Sequence, residues 1–99
     1  MGNLSVAYTA LGRHQDALVM QQKTLEFQRR VLPENHPDIS RSCLNLGLSF
    51  SQVGNLHRAL ECFREALRIL QVTLPPTHSH VKMAQQLVRE HEGDAARRL

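Results

Sequence analysis

Apolar residues recur along this chain at steps of three and four. Ile39, Cys43, Leu46, Phe50 and Val53 form one stripe, and Leu56, Ala59, Leu60, Phe63, Ala66, Leu67 and Leu70 form another. Such spacing lines up side chains on one face of an α-helix. Between the stripes stand only Gly54 and Asn55. Glycine accepts the left-handed conformation that closes a helix, and an asparagine side chain can accept from the unpaired N–H groups that open the next. A connection this short makes the two helices neighbours in an antiparallel hairpin. Gly47 and Ala59 supply the small residues that a close crossing needs.

The pattern is written twice. Residues 3 to 46 laid over residues 45 to 88 match at Asn3/Asn45, Leu4/Leu46, Gly12/Gly54, Ala17/Ala59, Leu18/Leu60, Leu25/Leu67, Leu32/Leu74, Pro33/Pro75 and His36/His78, a period of 42 residues. Self-similarity at such a period marks a stacked repeat, in which no unit buries its apolar face alone. The junction LPENHPDI at 32–39 returns as LPPTHSHV at 74–81. In it Pro33 stops a helix near Leu32, because proline cannot donate and disfavours helix in the residue before it. Pro37 starts the next helix, where a missing N–H costs nothing, and Asp38 suits the positive end of the helix dipole. The second copy predicts a further helix from about Thr77, with Ser79 or Thr77 in place of the proline start.

The expected architecture is therefore all-α, with about five helices in one domain over 1–99. A first repeat occupies about 1–35, shortened at its N-terminus because Met1 corresponds to Cys43. A second repeat spans about 36–76, a capping helix about 77–92, and a frayed tail 93–99. The cap is polar on its outer side, since Gln85 and Glu92 stand 42 residues after Cys43 and Phe50.

These residues resemble the tetratricopeptide repeat family, with small residues at Gly47, Ala59 and Ala66 and an aromatic at Phe50. The NLGLSFSQVGNLHRALECFREALRIL segment with the LPENHPDI junction is most similar to the long repeat of kinesin light chains. The resemblance implies a right-handed α-solenoid whose first helices line a concave face. On that face it places Arg41, Leu44, Asn45, Leu48, Ser51 and Gln52, with Asn3, Val6, Thr9 and Ala10 from the preceding unit. Amides such as Asn3 and Asn45 can hold the backbone of an extended peptide without demanding a particular side chain. Arg41 offers a forked donor to a carboxylate, and Lys82 extends the positive edge. Asn45 fits a solvated helix position equally well. Leu44 and Leu48 fit either a pocket for an apolar anchor or a contact with another copy.

Composition narrows the function without naming it. With 41% apolar and 21% charged residues the chain is of ordinary globular type, and no apolar run approaches the roughly 20 residues of a membrane span. A soluble, cytoplasmic protein is expected. The net charge of +3 is spread out, with doublets only at Arg29-Arg30 and Arg97-Arg98, so the dense basic face and aromatic platforms of nucleic-acid binding are missing from the pattern. Cys43 and Cys62 fall on helical stripes and are read as buried free thiols rather than a disulfide. His78, His80 and His91 invite a metal reading, but the register of His78 with His36 explains it better. Glu61, Glu65, Arg58, Arg64 and Arg68 have the spacing of solvated helical pairs. No phosphate loop or nucleophile motif is present, so neither enzyme activity nor a cofactor is expected. The leading reading is a scaffold for an extended, acidic peptide. The alternative is a self-assembling repeat module whose open N-terminal end, with Met20 and Phe27, mediates homo-oligomerisation.

Overall fold

The computed structural model describes the backbone over residues 3–97 and side chains over 13–93. Four helices and no strand occur in the described residues: α1 (Asn3–Val31), α2 (Pro37–Gln52), α3 (Leu56–Thr73) and α4 (Ser79–Arg97). Each packs on the next, α1 on α2, α2 on α3 and α3 on α4. The all-α, hairpin-based fold expected from the 42-residue pattern is present.

The α2–α3 hairpin turns where the pattern places it. Gly54 takes φ +85°, and the Asn55 N–H returns to the Phe50 carbonyl at 2.9 Å. The Asn55 side chain then accepts from the Arg58 N–H at 3.3 Å, opening α3. The repeated junction is reproduced bond for bond. Leu32 and Leu74 donate to the carbonyls of Gln28 and Leu70, both at 2.8 Å, and His36 and His78 donate to Pro33 and Pro75 at 3.1 and 3.0 Å. Nδ1 of His36 then accepts from the Asp38 N–H at 3.0 Å, and Nδ1 of His78 from the His80 N–H at 3.1 Å. Histidine thus serves as the capping side chain at both helix starts, and Ser79 opens α4 at the position that Pro37 holds in α2.

One expectation fails. Gly12 aligns with Gly54, yet it lies inside α1, a single 29-residue helix where two were predicted. Four helices result instead of five. The residue after Gly12 is Arg13, which has no side-chain acceptor to cap a new helix as Asn55 does. A glycine inside a helix costs only about 1 kcal/mol relative to alanine, so unbroken backbone bonding wins at this turn. At the other end α4 continues to Arg97, past the Gly93 at which the pattern ends the cap.

The core lies between α2 and α3 and extends onto both neighbours. Ile39, Cys43, Leu46 and Phe50 of α2 meet Ala59, Leu60, Phe63, Ala66 and Ile69 of α3, with Leu18 and Leu25 from α1 and Val88 from α4. Ile69, which the apolar stripe omits, is fully buried. His91 is buried too, its ring set edge-on to Phe63 with centroids 4.7 Å apart. Its Nδ1 lies 2.8 Å from the Leu87 carbonyl, which can only accept, so Nδ1 donates. Nε2 lies 3.0 Å from the Ser51 hydroxyl, which joins α4 to the end of α2.

Cys43 and Cys62 are free. Burial pushes the Cys43 thiol up to about 12 and the Cys62 thiol to about 11. Since the thiolate is the nucleophile, Cys43 should react with a disulfide reagent at pH 8 on the order of a thousandfold more slowly in the folded chain than in denaturant. Stopped-flow labelling with and without urea checks this; equal rates would show that the thiol is accessible.

Glu65 does not form merely the solvated helical pair its spacing suggests. It accepts both arms of Arg29 across α1 and α3, one at 2.8 Å, with Arg68 at 3.7 Å. The Arg29 hydrogen bond holds the Glu65 carboxyl below its ordinary value of 4.5. A folded value below the unfolded one means that the pair's contribution is complete above that unfolded value and fades as pH falls through the folded one. Both partners are partly exposed, so the contribution is small. Glu65→Gln should therefore lower stability modestly at pH 7 and flatten its fall below pH 4.5, which urea midpoints against pH will read.

Candidate functional site

The Pro75–His78 turn lays the start of α4 beside the start of α2, and a groove of about 540 Å³ opens between them. Pro37, Ser40, Arg41 and Leu44 line it from α2, Leu70, Thr73 and Leu74 from the end of α3, and His78, His80 and Met83 from the start of α4. The apolar wall is Leu44, Leu70, Leu74 and Met83. Leu44 is half-buried and packs against both core clusters, so it is held rigidly. Met83 is 45% exposed and free to adapt.

The polar groups fall into two kinds. Ser40 and Thr73 donate their hydroxyls to the Pro37 and Ile69 carbonyls, at 2.7 and 2.9 Å, and are occupied within their own helices. Arg41 is exposed and forms no ion pair with the described residues. His80 stacks edge-on against His78, centroids 4.8 Å apart. Among the described residues no three His, Cys, Asp or Glu side chains come together as a metal site would require. The groove thus offers an apolar floor, one uncommitted guanidinium and two imidazoles.

The residues singled out from the sequence are dispersed. Arg41 and Leu44 sit in this groove. Asn45 lines a different, smaller crevice of about 110 Å³ on the α1 side, with Gln21, Thr24 and Ser42. Leu48, Gln52 and Lys82 are exposed and line neither. Ser51 is held by His91 rather than presented to a ligand. The side chains of Asn3, Val6, Thr9 and Ala10 lie outside the described residues. Leu70, Thr73, Leu74 and Met83 were not read as site residues, and His78 and His80 were weighed only as metal ligands. The signal that could have found them is the repeated junction, which brings the start of each first helix against its counterpart 42 residues on. A third hollow of about 230 Å³ between Arg29, Glu34, Glu65 and Arg68 contains the α1–α3 ion pair.

No helix of the described residues is long and apolar enough to cross a membrane. Comparison with known families gives a match to the tetratricopeptide repeat over residues 1–71. No curated protein matches the chain significantly.

Proposed function

The chain belongs to the tetratricopeptide repeat family, a family of protein–protein interaction modules, and from that premise we propose that it is a non-catalytic scaffold whose α2–α3–α4 groove binds an extended, acidic peptide. The observation that carries this reading is Arg41, unpaired among the described residues at the edge of an apolar wall. An apolar anchor of the peptide would occupy the space between Leu44, Leu70, Leu74 and Met83. A carboxylate on the flanking residue would take two parallel bonds from the guanidinium, a geometry that lysine cannot reproduce. His78 and His80 add donors on the α4 side. Asn45 lies in another crevice, so its contribution would be to a longer peptide passing over α2.

Arg41→Glu should weaken binding of an acidic peptide bearing one leucine or phenylalanine anchor at least tenfold, from the loss of a charge-assisted pair worth about 1.5–3 kcal/mol plus the added repulsion. Fluorescence anisotropy checks it, with thermal unfolding as control. Unchanged affinity in a folded variant would remove the proposal.

A second reading, self-association, has its own observation. Met20 and Phe27 of α1 are 65% and 57% exposed and stand seven residues apart, on one side of the helix.

A further inference from the structure

The two copies of the junction differ at one place that bears on charge. His36 and His78 hold the same register position, and each takes a backbone N–H on Nδ1, that of Asp38 at 3.0 Å and that of His80 at 3.1 Å. A backbone N–H can only donate, so in both bonds Nδ1 carries the lone pair and no proton. A proton there abolishes the bond and sets a positive charge at the positive end of a helix. Each helix start is therefore closed only while its imidazole is neutral, and histidine is the side chain that changes charge between about pH 5 and 8.

What the added charge meets is not the same at the two starts. At α2 the Asp38 carboxylate lies 3.9 Å from His36 Nδ1, so an imidazolium exchanges the lost bond for an ion pair. Glu34 stands two residues before it in the junction, and the nearby Arg68 is turned to the Asn35 side chain at 3.3 Å. At α4 the register puts His80 where α2 has Asp38. The His80 ring is set edge-on to His78, centroids 4.8 Å apart, and can itself become cationic. α2 brings Arg41 to the groove that both histidines line, the end of α3 brings only the uncharged Leu70, Thr73 and Leu74, and no carboxylate lines the groove at all. Lys82, one turn on from His78, adds another positive charge, and the first turn of α4 contains no acidic residue. His78 and His80 take part in no ion pair among the described residues.

We propose that this exchange of aspartate for histidine makes the start of α4 an acid-labile latch: on acidification His78 releases the His80 N–H and the first turn of α4 opens, while α2 stays closed. His78, His80 and Met83 form the α4 wall of the groove, so opening dismantles one side of it. Resting on the peptide-binding reading, the consequence is release of the ligand as pH falls.

Hydrogen exchange read by NMR on the full chain tests the latch, with rates taken relative to those of an unfolded chain at the same pH. The informative amides are those of His80 and Lys82, which donate to His78 Nδ1 and to the His78 carbonyl, and those of Asp38 and Ile39, which donate to His36 in the same two ways. Between about pH 7.5 and 5.5, protection at His80 and Lys82 should fall about fivefold, the effect of losing one cap, with Asp38 and Ile39 unchanged. His78→Asn, whose amide oxygen caps at either pH, should abolish the fall, and His80→Asp, which restores the partner present in α2, should abolish it too. Constant protection at α4, an equal fall at both starts, or a fall that persists in His78→Asn would each overturn the latch. The comparison of the two starts is internal to the wild-type chain and does not depend on either variant folding. Anisotropy with the acidic, leucine-anchored peptide reads the consequence separately. Weaker binding at the lower pH in wild type but not in His78→Asn supports ligand release, and equal or tighter binding there overturns it while leaving the scaffold reading intact. A peptide that binds at neither pH removes the scaffold reading, and the exchange rates still decide the latch.

Discussion

Phe63→Ala should lower the stability of this chain by about 3–5 kcal/mol, the range for removing a fully buried aromatic ring. Phe63 is 0% exposed and belongs to the main core cluster. Its ring fills the space that Gly47 leaves on α2 and supports the edge of His91 on α4, so its loss opens a cavity shared by three helices. None of them can collapse into it freely. α2 and α3 are tied by the two-residue turn at Gly54, and α4 is held by the His91 bond to Ser51. Whole-domain stability is typically about 5–15 kcal/mol, so the variant should be close to unfolding at room temperature. Urea denaturation followed by circular dichroism measures it; a loss below 1 kcal/mol would mean that the hairpin does not depend on this contact.

Gly47→Ala should be destabilising by about 1–2 kcal/mol, although helix propensity alone predicts a gain of about 1 kcal/mol. The two effects have opposite signs, and distance decides between them. A Cβ on Gly47 would stand 2.6 Å from Cε1 and 2.9 Å from Cδ1 of Phe63, closer than carbon atoms pack. The ring is enclosed and cannot swing aside, so the α2–α3 crossing must widen. The explanation makes a coupled prediction. In the Phe63→Leu background the clash is relieved, and Gly47→Ala should become neutral or stabilising. Persistence of the full penalty there would locate its cause elsewhere.

Much of this could be read from the sequence, and the reasons are local. Gly54 and Asn55 specify a turn through their own conformational and hydrogen-bonding properties, and the structure shows that turn. Pro33, Pro37 and Asp38 act within one turn of helix, so the junction was legible as a stop and a start. Its histidine caps were legible only as a recurrence, because imidazole is an uncommon capping group. Gly12 was misread for an instructive reason: glycine permits a turn, but the cap at the following position completes it, and Arg13 cannot supply one. The pairings Arg29–Glu65 and His91–Ser51 join residues 36 and 40 positions apart. Periodicity within a helix carries no information about such partners. The same limit applied to the groove. Arg41 and Asn45 share a stripe of α2, yet α4 claims one side of that stripe and α1 the other. Stripe position told which residues were exposed, and only the packing of neighbours told which of them share a concavity.

The central claim is that the groove between the starts of α2 and α4 is where a peptide docks. Amide and methyl chemical-shift mapping during titration with an acidic peptide carrying an apolar anchor tests it most directly. Docking in the groove predicts saturable shifts at Arg41, Leu44, Leu70, Leu74, His80 and Met83, with α1 beyond Gln28 in the N-terminal direction unaffected. Shifts confined to α1 or to the far ends of α2 and α4, or none at millimolar peptide, would contradict it.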